Sequence, residues 1–267
     1  MKIFIFIFFF SLKSASSEAV DAFQKIKGCF CEGGVIIGKA NNSDSVLIDG
    51  QVQKISKDGF YIFAFGRDYP KTVLIKINNK TKTFEIRQKM YKIERINNLP
   101  SNKVQPSEKE IKRIIKEQKS IQTAKKMGFD NKISNGNFVL PFDGRISGVF
   151  GSQRILNKIP KRPHYGLDIA APIGTEIFAP NNGIVKLVGA DLFYTGNTLI
   201  LDHGLGMISI YAHMHEISVK KGQKIVLGQL LGSVGKTGRA TGPHLHWGVY
   251  LLNKPIDPMS LVKSEFY

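Results

Sequence analysis

The sequence predicts a mainly β protein, in which two β-rich units are joined by a single helix. Three observations predict it. Short apolar or alternating runs separated by Gly, Asn, Asp and Pro turn signals fill residues 34–98, and they resume from Phe138 to about Pro258. Only one stretch, after Pro106, repeats its apolar residues with helical spacing. With 267 residues, 42% of them apolar and 10% aromatic, the chain can fill two cores.

The opening MKIFIFIFFFSLKSASSEA pairs one early lysine with an apolar run from Ile3 to Leu12 and small residues around Ala15 to Ser17. That is the layout of a secretory signal peptide, assigned to residues 1–17. Ten apolar positions fall short of the roughly 20 that span a bilayer, so the mature chain is expected to be exported to the periplasm or cell envelope. Membrane attachment would come only from this segment, if uncleaved. The two cysteines follow in KGCFCEGG. On an extended strand residues at i and i+2 stand farther apart than the roughly 3.8 Å between bridged Cβ atoms, so Cys29 and Cys31 are expected to be two thiols without a catalytic role. A lipid-modified cysteine is excluded, because the apolar run ends well before Cys29.

Residues 28–99 read as a small β-sandwich accessory domain. Its runs are VIIGKA, SVLIDG, QVQKIS, GFYIFAFG, KTVLIKINN, KTKTFEIRQ and YKIERI, parted by Asn41-Asn42, Asp49-Gly50, Asp58-Gly59 and Asn78-Asn79. Nothing in it looks catalytic. A linking helix is expected over 106–127: Ser107 and Glu110 match a capping box, and Ile111, Ile114, Ile115, Ile121 and Ala124 share one face until Gly128 stops it. Its lysine- and glutamate-rich side suits a solvated connector, or else a segment partly covering the second unit's groove. Residues 137–267 form that unit, a glycine-rich antiparallel β-sheet or barrel-like domain with runs such as RISGVFG, GLDIAA, NTLILDHG, MISIYAHM and HLHWGVYL.

Thirty-eight basic against 21 acidic residues give a net charge of +17. Such a surface favours polyanions. Nucleic acid is set aside, since no helix-turn-helix, zinc-finger or stacking-aromatic pattern accompanies the charge. An acidic wall polymer suits an exported basic protein better.

All six histidines lie in the second unit. In RPHYGLDIA, Gly166 lets the chain bend so that His164 and Asp168 can converge. His213 ends ISIYAHM, where Ser209, Tyr211 and His213 are expected on one strand face. His203 sits in the turn LDHGLG and is expected to bond nearby backbone. His215 lies past the expected strand end, toward solvent. In TGPHLHWGVY, His244 and His246 stand side by side on one face, a spacing that suits a shared metal centre. Each has an ordinary structural explanation alone. Together the His164/Asp168 pair, the strand-end His213 and the His244/His246 pair supply the ligands and the bases that a hydrolytic zinc site needs.

On these residues the second unit resembles the lysostaphin-type (LytM-like) zinc metalloendopeptidases of bacterial cell walls. The likeness runs from GRISGVFGSQR through RPHYGLDIAAPIGTEIFAPNNGIV and LDHGLGMISIYAHM to VKKGQKIVLGQLLGSVGKTGRATGPHLHW, about half the chain. The stretches GGVIIGKA, FAFGRD and YKIERINNLP look like the N-terminal module of one group of these peptidases. The resemblance implies one zinc ion per chain, held by His164, Asp168 and His246, with His213 and His244 as catalytic bases. It further implies peptidoglycan as the partner and an endopeptidase reaction on it, open to an envelope regulator. Three protein ligands leave a fourth position for water, and with no H-E-x-x-H motif the base must be a histidine. The alternative is a zinc-holding module that binds peptidoglycan or regulates another hydrolase without cutting.

Overall fold

The runs VII and YIFAF are apolar at consecutive positions, a pattern that requires both faces of a strand to be covered. A computed structural model, describing residues 22–126, 133–134 and 137–263, accounts for it. Strand Val35–Lys39 pairs antiparallel with Phe60–Ala64, and Lys27–Gly28 extends them to a three-stranded sheet. Ile36, Tyr61, Phe63 and Phe65 pack with Val46, Ile48, Val73, Ile75 and Ile77. Those residues come from a four-stranded sheet in the order Gln51–Val52, Val46–Ile48, Thr72–Ile77, Lys80–Glu85. Val35, Ile37, Ile62 and Ala64 turn the other way and join the core of the second unit with Leu167, Ile169 and Val249. The two units therefore share a core cluster where separate cores were expected. Each fully buried aliphatic side chain contributes about 1.5–3 kcal/mol, so the shared face couples the units strongly.

Polar contacts fix their placement. Asp257 donates its N–H to the Gly33 carbonyl at 2.7 Å, and Lys89 pairs with Asp257 at 2.6 Å. Arg67 donates to the Gly151 carbonyl at 2.8 Å.

Two expectations for this half change. Cys29 and Cys31 form a disulfide, with Cα atoms 5.3 Å apart. The chain is not extended there: Gly34 donates back to the Cys31 carbonyl, and Gly28 takes φ 114°, so the strand spacing behind the expectation does not apply. YKIERI does contain a strand, Ile93–Ile96, but it leaves the sandwich. It pairs in parallel with Gln153–Leu156 of the second unit.

Beyond it, Leu99, Val104 and Leu156 form a small buried cluster over that unit. Asn157 clamps the segment by donating to the Leu99 carbonyl at 2.7 Å and accepting its N–H at 3.1 Å.

The helix Glu108–Ala124 starts at a complete Ser107/Glu110 capping box. Its apolar stripe is narrower than the spacing suggests: Ile114 and Ala124 are buried, while Ile111 and Ile115 are 43% and 60% exposed. The docked end packs Ala124 and Ile121 on Ile200, Ile208 and Ile210. Gly128, the expected stop, lies outside the described residues, as do residues 1–21 with the expected signal peptide. Among the described residues no helix is long and apolar enough to cross a membrane.

The second unit is a ten-stranded antiparallel sheet. Its main path runs Lys224–Ile225, Gly183–Leu192, Gly196–Gly204, Met207–Ile217, His244–Leu251, Leu167–Ala170, Arg145–Gly148. Strand His244–Leu251 thus lies between the strands that carry His213 and Asp168.

Candidate metal centre

Alternation along His244–Leu251 divides its residues cleanly. Leu245 and Trp247 are fully buried in the core, so His244 and His246 share the opposite face. The antiparallel register places Asp168 directly opposite His246 on one neighbour and Ala212 opposite it on the other. Residues directly opposite each other project to the same face, so Asp168 meets His246. His164 comes from the loop before Asp168. Its backbone N–H donates to the Ser152 carbonyl at 2.8 Å, and Nδ1 lies 3.1 Å from the Val149 carbonyl, which leaves Nε2 as the outward nitrogen.

Three atoms converge. His164 Nε2 lies 3.0 Å from Asp168 Oδ1 and 2.9 Å from His246 Nδ1, and His246 Nδ1 lies 2.8 Å from Asp168 Oδ1. The donor set is two imidazoles and a carboxylate within 4.8 Å, the ligand chemistry of zinc. Donors about 2.0–2.2 Å from a tetrahedral zinc stand roughly 3.3 Å apart, so shifts of a few tenths of an ångström fit the ion. The set also has the outer contacts such sites use: Val149 orients His164, and Arg154 pairs with Asp168 Oδ2.

Protonation suits ligation. Burial opposes the charge of Asp168, yet hydrogen bonds from His164 and His246 hold its carboxyl well below the usual range. Burial pushes His246 down to about 4, so its imidazole is neutral at pH 7.

The remaining pair stands beside these ligand candidates. The ring centroids of His213 and His244 are 4.8 Å apart, and His244 Nε2 is 3.9 Å from Asp168 Oδ1. His213 Nδ1 faces the Thr237 carbonyl and His244 Nδ1 the Gly242 carbonyl, each at 2.8 Å. Each Nδ1 therefore carries the proton, leaving Nε2 as acceptor. Burial, with His244 and His246 nearby, pushes His213 down to about 3.

The expected common face of Ser209, Tyr211 and His213 does not hold. Tyr211 lies opposite Trp247 and faces the core with it, and strict alternation would send His213 there too. The register instead shifts in the pairing with Gly196–Gly204, and His213 takes φ 64°. This bulge turns the imidazole onto the face of His246. Because a non-glycine residue in that conformation costs roughly 1–2 kcal/mol, His213→Gly should be more stable than His213→Ala by about 1 kcal/mol, measured by urea unfolding. Equal stability would mean that the left-handed backbone is absent.

His203 and His215 stay apart from the cluster. His203 is fully buried between the Asn182 carbonyl and Ser209 Oγ, and burial lowers it to about 4. Its backbone partner is distant in sequence, not nearby. His215 is exposed as expected, although its strand continues to Ile217. Arg154 is the residue that sequence reasoning missed: it lies 14 positions from Asp168, and no local pattern marks it.

The site opens unequally. Asp168, His213 and His244 face a chamber of about 70 Å³ whose lining includes Ile96 and Leu99. His164 and His246 border a groove of about 670 Å³.

Residues 162–258 match the model of peptidase family M23. A crystal structure from Pseudomonas aeruginosa assigned to peptidase M23 is 30% identical, covers 87% of this chain and 94% of its own, and superposes with a TM-score of 0.65. The chain belongs to peptidase family M23. A stretch of 117 residues is 41% identical to the peptidoglycan DD-endopeptidase ShyA of Vibrio cholerae, covering 43% of this chain and 27% of ShyA. A stretch of 117 residues is likewise 37% identical to the DD-carboxypeptidase/endopeptidase Mpg of Neisseria meningitidis, covering 44% of this chain and 27% of Mpg. The chain thus spans little more than a quarter of these curated M23 relatives.

Proposed function

We propose that the chain is a zinc-dependent endopeptidase of the cell envelope that hydrolyses peptide bonds in peptidoglycan. The observation that carries this is the meeting of His164 Nε2, Asp168 Oδ1 and His246 Nδ1 beside two further imidazoles. His164, Asp168 and His246 would hold one zinc ion. Zinc held there would polarise the scissile carbonyl and bring the pKa of a coordinated water to about 7. His213 and His244 serve as the bases: their Nε2 atoms take the proton of the attacking water, return one to the leaving amine and stabilise the oxyanion. Carbonyls hold both rings at Nδ1, so little reorganisation is needed as the reaction proceeds. The activity on peptidoglycan in the name of ShyA, the net charge of +17 and the N-terminal apolar run support an exported enzyme on an acidic polymer. Residues 137–267 carry the chemistry, 28–99 serve as an accessory module whose last strand, Ile93–Ile96, pairs with the second unit, and 106–127 connect them.

Purified chain incubated with isolated sacculi should release new amino and carboxyl ends. Chelator should abolish the release and zinc restore it. New reducing sugar ends without amines, or cleavage indifferent to chelator, would overturn the proposal.

A further inference from the structure

Among the described residues, the groove beside His164 and His246 is lined by five cations, Lys125, Arg154, Lys161, Arg162 and Arg239, and by no carboxylate. Arg154 is paired with Glu94 and Asp168. Among the described residues the other four have no carboxylate within ion-pair distance. Two of them are held in place by aromatic rings. The Arg239 guanidinium lies 4.4 Å from the centroid of the Tyr194 ring, its backbone N–H donates to the Tyr194 carbonyl at 2.9 Å, and one guanidinium N–H reaches the Lys103 carbonyl at 3.2 Å. The Lys125 ammonium lies 3.4 Å from the centroid of Tyr250. Burial pushes that amine down to about 8 and also lowers Arg239.

Partly desolvated cations without an anion are costly, and a cation–π contact offsets only part of the cost. A groove that keeps two of them beside the candidate metal centre suits an anion from outside. Arg239 lines both this groove and the chamber of His213 and His244, whereas Lys125 stands at the helix end. A planar guanidinium with several donors matches a carboxylate in two-point fashion, and an ammonium matches it as a point charge.

We propose that Arg239 and Lys125 are specificity residues that bind carboxylates of an acidic peptide substrate, Arg239 taking the carboxylate nearer the bond that is cut. This rests on the endopeptidase function proposed above.

The test compares two synthetic cross-linked peptides of one sequence, the first with free carboxyl groups and the second with those groups as carboxamides. Cleavage and calorimetric binding are measured on the zinc-loaded full chain. The wild type should cleave the acidic peptide with a kcat/KM about 10- to 100-fold higher than the amidated one, the scale of a charged hydrogen-bonded pair. Arg239→Ala should lose most of that preference by falling on the acidic peptide alone, Arg239→Lys should keep part of it, and Lys125→Met should show a smaller loss. Zinc content should stay unchanged in all three. Equal treatment of the two peptides by the wild type, or equal losses on both in Arg239→Ala, overturns the proposal. If the wild type cuts neither peptide yet binds the acidic one through Arg239, the endopeptidase function falls and the carboxylate site stands. If it neither cuts nor binds either peptide, both fall.

Discussion

His246→Ala is expected to purify with almost no zinc and to leave sacculi uncut, whereas His244→Ala should keep close to one zinc per chain and cut at least about 10²-fold more slowly. The two histidines share a strand face and differ by two positions, so sequence proximity alone would give them one phenotype. Geometry separates them. His246 Nδ1 lies 2.8 Å from Asp168 Oδ1 and 2.9 Å from His164 Nε2, inside the converging set. His244 Nε2 is 3.9 Å from the same carboxylate oxygen, and its ring pairs with His213. His213→Ala should therefore follow His244→Ala. Asp168→Ala is the poorer probe of ligation, because it also strips Arg154 of one of its two carboxylate partners and leaves only Glu94 to pair with it. The measurement is zinc content by elemental analysis and sacculus cleavage on the same preparations. If His244→Ala loses zinc while His246→Ala keeps it, the roles of the pair are reversed.

How much of this was legible in the sequence depends on the period of the local structure. HLHW is a regular strand, and counting by two correctly placed both histidines on the face away from Leu245 and Trp247. His164 and Asp168, four apart around a turn, could likewise be read as a converging pair. His213 resists such counting, because one bulge inverts the alternation between Tyr211 and His213, and no residue type announces it. Non-local pairings were illegible for a different reason. That Ile93–Ile96 would leave its own sheet and run beside Gln153–Leu156, or that Arg154 would meet Asp168, depends on how two units dock. The unbroken apolar runs around Ile36 and Ile62 did carry that information. Their second face is the one buried against the other unit.

Gly166→Ala is expected to weaken zinc binding by about 10- to 100-fold and to lower stability by about 1–3 kcal/mol, although it adds a single methyl group. The sequence suggested that this glycine serves a bend between His164 and Asp168. Its φ is not left-handed, and its reason is space. A Cβ there would lie 2.6 Å from Cε1 and 2.8 Å from Nε2 of His246, and 2.8 Å from the Trp247 carbonyl oxygen. The ring could yield only by turning away from Asp168 Oδ1 and His164 Nε2. The carbonyl could yield only by opening the ladder in which Leu167 faces Trp247. Either adjustment damages the site, the first through zinc affinity and the second through the strand that positions Asp168. Gly242→Ala supplies the control: nothing lies within 4 Å of its added Cβ and its φ is not left-handed, so it should leave both quantities unchanged. Zinc titration against a competing chelator and urea midpoints on both variants decide the matter. Wild-type zinc affinity in Gly166→Ala would show that His246 has room to move and is not held at the metal as the geometry requires.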